Sequence, residues 1–162
     1  MKVIICFFFF LICSGCSTSN YFLVRHAEKV DSSRDPDLSE KGKNRALILK
    51  DSLLDKKINK LYATQFKRTQ QTVRPLANAL DKEIIIYDAG SSLDIVENLK
   101  KNKNENIVVA GHSNTVPEMI LLLTGDSVHI GHDDYHYLFL VQKKSTFFGK
   151  KYDLRIKKYG PE

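Results

Sequence analysis

The sequence predicts an α/β fold: a three-layer α/β/α sandwich with a mostly parallel central sheet and an antiparallel C-terminal strand pair. Three observations predict it. Apolar runs of strand length alternate with helical periodicities from residue 20 onward, in the order βαβαβαβαββ. Alternation of that kind implies right-handed crossovers that put helices on both faces of a parallel sheet. The last two apolar runs follow one another across a turn region with no helix between them, which suits an antiparallel pair. A length of 162 residues fits one such domain and is too short for a second core.

The first strand is "YFLVRH", residues 21–26, an apolar run that ends abruptly in Arg25 and His26. A helix starts near Ser39 and places Ala46, Leu49, Lys50, Leu53 and Leu54 at 3.6-type spacing. "KLYAT", residues 60–64, is a short second strand. Val73, Leu76, Ala77 and Leu80 mark one face of a helix over residues 67–80, in which Pro75 is expected to bend the helix or lie near its first turns. "EIIIYD", residues 83–88, is a third strand, and Leu93, Val96 and Leu99 share one side of a helix over residues 93–102. "NIVVAGH", residues 106–112, reads as a buried fourth strand, followed by the helix "NTVPEMILLLTG" with Gly125 as its stop and Ser113 and Asn114 as caps. "YHYLFLVQ" and "YDLRIKK", residues 135–142 and 152–158, alternate with period two and form the final pair. The sequence holds no internal repeat, low-complexity tract or interdomain linker.

The N-terminal segment is a different kind of sequence. Residues 3–12, "VIICFFFFLI", follow Lys2 and are too short for a hydrocarbon core that needs roughly 20 residues, so they read as the apolar part of a signal peptide. The following "CSGCS" resembles a bacterial lipoprotein processing site, with small Ser14 and Gly15 before Cys16; Cys13 stands where Leu is usual. Residues 1–15 are therefore expected to be a removable signal peptide, Cys16 the lipidated first residue, and residues 20–162 the folded domain. The expected location is the cell envelope, lipid-anchored, facing the periplasm or on the outer membrane. All three cysteines (Cys6, Cys13 and Cys16) fall in this segment, which excludes a disulfide framework in the body.

The chain carries 25 basic against 19 acidic side chains, and loss of Lys2 with the leader still leaves a formal charge of +5. Much of the excess lies near the end, at Lys143, Lys144, Lys150, Lys151, Arg155, Lys157 and Lys158. Such a face suits solvent, an anionic membrane surface or an anionic substrate. No basic array interleaved with aromatics supports nucleic-acid binding, so a nucleic-acid partner is excluded.

Polar groups recur at equivalent places in this pattern: Arg25 and His26 after the first strand, Arg68 after the second, His112 after the fourth. In an open α/β sheet ligands collect beyond the carboxyl ends of the strands, where loops converge and helix N-termini offer N–H groups. Two arginines and two histidines there describe an anion pocket. Arginine suits it because a planar, permanently charged fork meets two phosphate oxygens at once. An imidazole is nucleophilic only when neutral, which requires its second nitrogen to donate to a fixed acceptor.

Four segments in order carry a family resemblance: "VRHAEK", "LSEKGKNRA", "YATQFKRTQQTVRPLA" and "VVAGHSNTVP". Over residues 20–142 the chain resembles the histidine phosphatase superfamily, the phosphoglycerate mutase-like branch in its small single-domain form. The resemblance implies that His26 is the nucleophile and forms a phosphohistidine, and that Arg25, Arg68 and His112 make the phosphate pocket. His112 is expected to be protonated when phosphate is bound. It further implies a phosphohydrolase, phosphomonoesterase-like, with no cofactor and no metal.

The leaving group needs a general acid, a role worth about 10² to 10⁴ in rate. Ser113 stands where the acid-phosphatase pattern has Asp, and no mutase-type Glu segment follows the third strand, which leaves Asp88 and Glu28 as the two candidates. Glu28 can equally pair with a cation, and Asp88 can equally be a turn residue. A leaving group such as phosphohistidine or phosphoanhydride needs less protonation, so the expected partner is a phosphorylated small molecule or a phosphorylated side chain. "HIGHDDYH" holds His129, His132, Asp133, Asp134 and His136, a spacing that can bind zinc, although the resemblance implies chemistry without metal. The competing functions are a non-catalytic phosphate-binding envelope lipoprotein and a phosphoglycerate mutase-type phosphotransferase; the latter goes with longer lid insertions than this length allows.

Overall fold

A computed structural model describes residues 16–161; the signal peptide expected at residues 1–15 lies outside the described residues. The elements run β1 (Ser17–Arg25), α1 (Glu40–Leu53), β2 (Lys60–Thr64), α2 (Lys67–Ala79), β3 (Ile84–Tyr87), α3 (Ser92–Lys101), β4 (Asn106–Gly111), α4 (Thr115–Thr124), β5 (Tyr137–Thr146) and β6 (Gly149–Lys158). They build one six-stranded sheet in the order β3-β2-β4-β1-β5-β6. Pairing is parallel from β3 to β1 and antiparallel from β1 through β5 to β6.

The three layers follow from the strands' alternation. Tyr21 and Leu23 of β1 face one way with Ile107 and Val109 of β4, and there meet Ile95, Val96 and Leu99 of α3 and Val116, Met119 and Ile120 of α4. Phe22, Val24, Val108 and Ala110 face the other way onto Leu49 and Leu53 of α1 and Val73, Leu76 and Ala77 of α2. β1 and β4 are buried on both faces, as central parallel strands are, which is why they read as continuous apolar runs. The chain steps outward from β1 through β2 to β3 with helices on one face. It then returns β4 to the space between β2 and β1 with helices on the other, so the C-terminal ends of β1, β4 and β2 lie side by side.

Some boundaries differ from expectation for physical reasons. β1 begins at Ser17, not Tyr21, because the polar "STSN" segment is carried by pairing with β5 (Ser17 with Ser145, Asn20 with Gln142) and leaves no apolar trace. Pro75 lies inside α2, beyond its first turns, and removes the N–H that would meet the Gln71 carbonyl. Ser39 caps α1 as expected, its hydroxyl accepting from the Gly42 N–H at 3.1 Å. Asn114 occupies the N-cap of α4 without a side-chain cap bond; instead the Thr115 hydroxyl accepts from the His112 N–H at 2.9 Å. Gly125 ends α4 at φ 81°, with its N–H on the Leu121 carbonyl.

Candidate active site

The site begins where β1 stops. Arg25 is the last residue of the strand, and the His26 N–H donates to the Gly111 carbonyl of β4 at 2.9 Å, extending the parallel ladder by one bond. The next N–H, from Ala27, donates to Thr72 Oγ1 of α2 at 2.9 Å. His26 is thus fixed on both sides by backbone. α1 comes so close to the following loop that a Cβ on Gly42 would sit 2.2 Å from the Glu28 carbonyl oxygen, which fixes glycine at that position.

The His26 ring is buried, and its Nδ1 lies 2.8 Å from the Ala27 carbonyl oxygen. A carbonyl only accepts, so Nδ1 carries the proton and Nε2 carries the lone pair. That leaves Nε2 as the ring nitrogen with an available lone pair, a point the sequence alone left open. The His112 ring stands 5.4 Å away, centroid to centroid, with the planes at 63°. The Thr64 hydroxyl, at the end of β2, lies 3.0 Å from His112 Nε2, while Arg68 Nη2 approaches His112 Nδ1 at 3.4 Å. A guanidinium only donates, so Nδ1 is the lone-pair side and the Nε2–H points to Thr64, itself linked to Thr69 at 2.7 Å.

Both imidazoles are neutral at pH 7 in this arrangement. Burial pushes the His26 pKa down to about 3; the bond to Ala27 opposes the shift, and the charges of Arg25 and Arg68 and the neighbouring His112 add to it. Burial, then Arg68 and Arg25, push His112 down to about 4. The protonated form expected for His112 with phosphate bound therefore has to come from the anion's own charge. The four side chains named from the sequence do converge.

The two guanidinium groups are held differently. Arg25 Nη1 donates to the carbonyls of Gly131 at 2.7 Å and His132 at 2.8 Å, and the group stacks 4.1 Å over the Tyr135 ring. Arg68 stacks 4.4 Å over Phe66, and Asp35 lies 3.9 Å from its Nη1 while accepting from the Lys67 N–H at the start of α2. The Nε–H groups of both arginines are buried with no acceptor among the described residues.

Of the two acid candidates, neither carboxyl is seen against His26. Glu28 makes a two-pronged ion pair with Arg45 of α1, Nε to Oε2 at 2.9 Å and Nη2 to Oε1 at 2.7 Å, with Lys41 at 3.4 Å. Burial alone would raise its pKa, but the bonds from Arg45 and Lys41 carry it below the ordinary carboxylate value, so it stays ionised. Its carboxyl is thus held in the ion pair that the sequence offered as the alternative to a proton donor. Asp88 is exposed beyond the outermost parallel strand, where its Oδ1 accepts from the Gly90 N–H at 2.8 Å in a tight turn. Of the zinc candidates, His132 is exposed and pairs with Asp133, whereas His136 is buried against Tyr137 at 4.3 Å. Among the described residues no three His, Cys, Asp or Glu side chains gather as a metal site.

Sequence reading missed Thr64, Thr69 and Thr72, and it read the HIGHDDYH loop for zinc and not for the carbonyls that anchor Arg25. Thr64 had a visible signal: it is the polar residue ending "KLYAT", the same position that Arg25 holds on β1.

Known proteins share both the motif and the fold. A family model described as the histidine phosphatase superfamily (branch 1) matches residues 21–89. That span contains His26 and Arg68 but stops short of His112, which joins them through the fold. Phosphoserine phosphatase 1 of Hydrogenobacter thermophilus is 35% identical over 79 residues, 44% of this chain and 37% of that enzyme, so the match spans little more than a third of the relative. Mycobacterial glucosyl-3-phosphoglycerate phosphatase with inorganic phosphate superposes with a TM-score of 0.70 at 11% identity, covering 86% of this chain and 96% of that one. The protein histidine phosphatase SixA, complexed with tungstate, superposes with a TM-score of 0.65 at 15% identity, again covering 86% and 96%. The chain is thus similar to the histidine phosphatase superfamily over residues 21–89 and shares its fold with the solved phosphatases.

Proposed function

We propose that the chain is a phosphohydrolase of the histidine phosphatase superfamily, acting through a phosphohistidine on His26 and without a metal. The observation that carries this reading is the 2.8 Å contact from His26 Nδ1 to the Ala27 carbonyl, which leaves the Nε2 lone pair on a ring beside His112, Arg25 and Arg68. In the first step the lone pair forms an N–P bond as the bond from phosphorus to the leaving atom breaks; that atom keeps the electron pair and gains a proton. In the second step water forms a P–O bond and loses a proton as the N–P bond breaks, which returns the lone pair to Nε2 and releases phosphate. The unpartnered Nε–H groups of Arg25 and Arg68 offer donors for phosphoryl oxygens, and His112 gains a proton as the dianion binds.

With Glu28 held by Arg45 and Asp88 in an exposed turn, neither of the two acid candidates is poised to protonate an alkoxide. This favours substrates whose leaving group departs with little help, a phosphorylated histidine side chain or a phosphoanhydride, over simple alkyl phosphates. The SixA neighbour, a protein histidine phosphatase, agrees with that preference. p-Nitrophenyl phosphate, which also has a good leaving group, tests the chemistry directly. Turnover insensitive to chelator, abolished by His26→Ala and reduced roughly 10² to 10³-fold by Arg68→Ala, is expected. Phosphate binding without turnover would instead favour a binding module, and activity surviving His26→Ala would remove the nucleophile.

We further propose that a lipid on Cys16 holds the protein at the cell envelope. Cys16 is exposed and directly precedes β1, so an acyl group there can leave the fold without disturbing it. Labelled palmitate should enter the wild type and not Cys16→Ser; a wild type that takes up no label overturns the anchor.

A further inference from the structure

The end of the sheet opposite the candidate active site carries a second surface. β5 and β6 turn at Phe147 and Phe148, whose side chains are 85% and 96% exposed with rings 5.7 Å apart. Single exposed apolar residues are ordinary, but two neighbouring aromatic rings at the apex of a hairpin form a protruding wedge.

Lysines surround the wedge. Lys144 and Lys151, opposite each other across the hairpin, share one concavity with Phe148. On the other side Lys101, Lys103 and Lys150 line a groove with Phe147. Two acids offset part of this charge: Glu97 pairs with Lys100 at 3.0 Å, and Asp153 pairs with Lys151 at 2.9 Å. Lys101, Lys103, Lys144 and Lys150 have no ion-pair partner among the described residues. Lys143 is buried between the layers, its ammonium donating to the carbonyls of Lys100 and Asn102, which ties the hairpin to the C-terminal end of α3. The wedge therefore projects from a braced base.

Position adds a third, independent observation. Ser17 pairs with Ser145, so Cys16 emerges beside the turn that carries the two phenylalanines. From there β1 runs its nine residues to Arg25, about 30 Å at roughly 3.3 Å per residue. We propose that the Phe147–Phe148 tip and its lysine collar dock on an anionic lipid surface, with the candidate active site facing away from it. A convex aromatic point ringed by cations fits a deformable, negatively charged plane: the rings enter the interfacial layer while the ammonium groups meet headgroup phosphates. A protein partner would have to offer an acidic cleft to the same point.

The docking does not rest on the phosphatase reading, and it can be read without activity. The chain contains no tryptophan, so Phe148→Trp in the full chain is a single reporter of the tip. Phosphatidylglycerol vesicles are expected to shift its emission to the blue and to expose it to quenching by brominated acyl chains. Phosphatidylcholine vesicles should do so several-fold less. Adding Lys144→Glu and Lys150→Glu should cut the shift several-fold, and a Leu121→Trp reporter on α4 should not respond. Emission that stays water-like with phosphatidylglycerol, and remains open to an aqueous quencher, overturns the proposal. So does a blue shift without vesicles that grows with protein concentration, which would assign the tip to self-association.

Discussion

Replacing Glu28 by Gln separates the two roles proposed for a carboxylate two residues beyond His26. Arg45 is buried to 2% side-chain exposure and Glu28 to 12%, and their two charge-assisted bonds measure 2.9 and 2.7 Å. Gln keeps one acceptor oxygen but turns an amide N–H₂ toward the guanidinium, so one bond is lost and the cation stays buried without a counter-charge. Removing one member of a buried pair costs about 3–5 kcal/mol. Here Arg45 keeps the carbonyls of Tyr159 at 3.3 Å and Pro161 at 2.8 Å as acceptors, which puts the cost nearer about 2–3 kcal/mol. For a body of this size that lowers Tm by about 6–12 °C. Because the Glu28 pKa is depressed on folding, its contribution is present above the ordinary carboxylate pKa and lost as pH falls through the folded value. The acid limb of the stability profile should therefore flatten in the variant. The assay pairs thermal unfolding with turnover measured well below the variant's Tm, where kcat should stay within a few-fold of wild type. An unchanged Tm with turnover down about 10² or more would refute this and make Glu28 the proton donor.

Two further outcomes follow from the same geometry. His26 and His112 are pushed to about 3 and about 4, below the roughly 6.5 of an unfolded histidine, so the empty protein should lose stability as pH falls below that value toward the folded pKa values. Inorganic phosphate should reverse part of this by protonating His112, seen in titration calorimetry near pH 6.5 as proton uptake that His112→Asn reduces; uptake that is absent, or unaffected by His112→Asn, counts against the pocket. Gly111→Ala would place a Cβ 2.7 Å from Thr115 Oγ1 and 3.1 Å from the Tyr87 hydroxyl, so a loss of about 1–3 kcal/mol in chemical denaturation is expected, and a neutral result would show that α4 shifts freely.

What the sequence made legible depended on periodicity and position. Strands buried on both faces announce themselves as apolar runs, and a polar residue closing such a run marks the carboxyl edge, which is how Arg25, His26 and His112 were found. Pairings between distant side chains left weaker traces. Arg45 sits on the buried stripe of α1 with Gly42, Ala46, Leu49 and Leu53, and a cation on that stripe demands an internal counter-charge, which Glu28 supplies. Asp88 looked equivalent to the other strand-end residues because strand order cannot be read from chain order. β4 inserts between β1 and β2, which leaves β3 at the edge and Asp88 in its own turn.

The insertion of β4 also explains why the pocket needs its distant loop. β1, β4 and β2 supply His26, His112 and Thr64 from adjacent strand ends, but β5 runs antiparallel and turns its starting end toward the site. The loop feeding β5 thus arrives beside Arg25, and its carbonyls at Gly131 and His132 take the Nη1 donors of the buried guanidinium. One arginine thereby fastens the loop and leaves its remaining donors for an anion. A lysine offers no such fork, since a single ammonium cannot serve two carbonyls and a phosphoryl group from fixed directions. The fold couples loop position to the proposed phosphate pocket through the planarity of that one side chain.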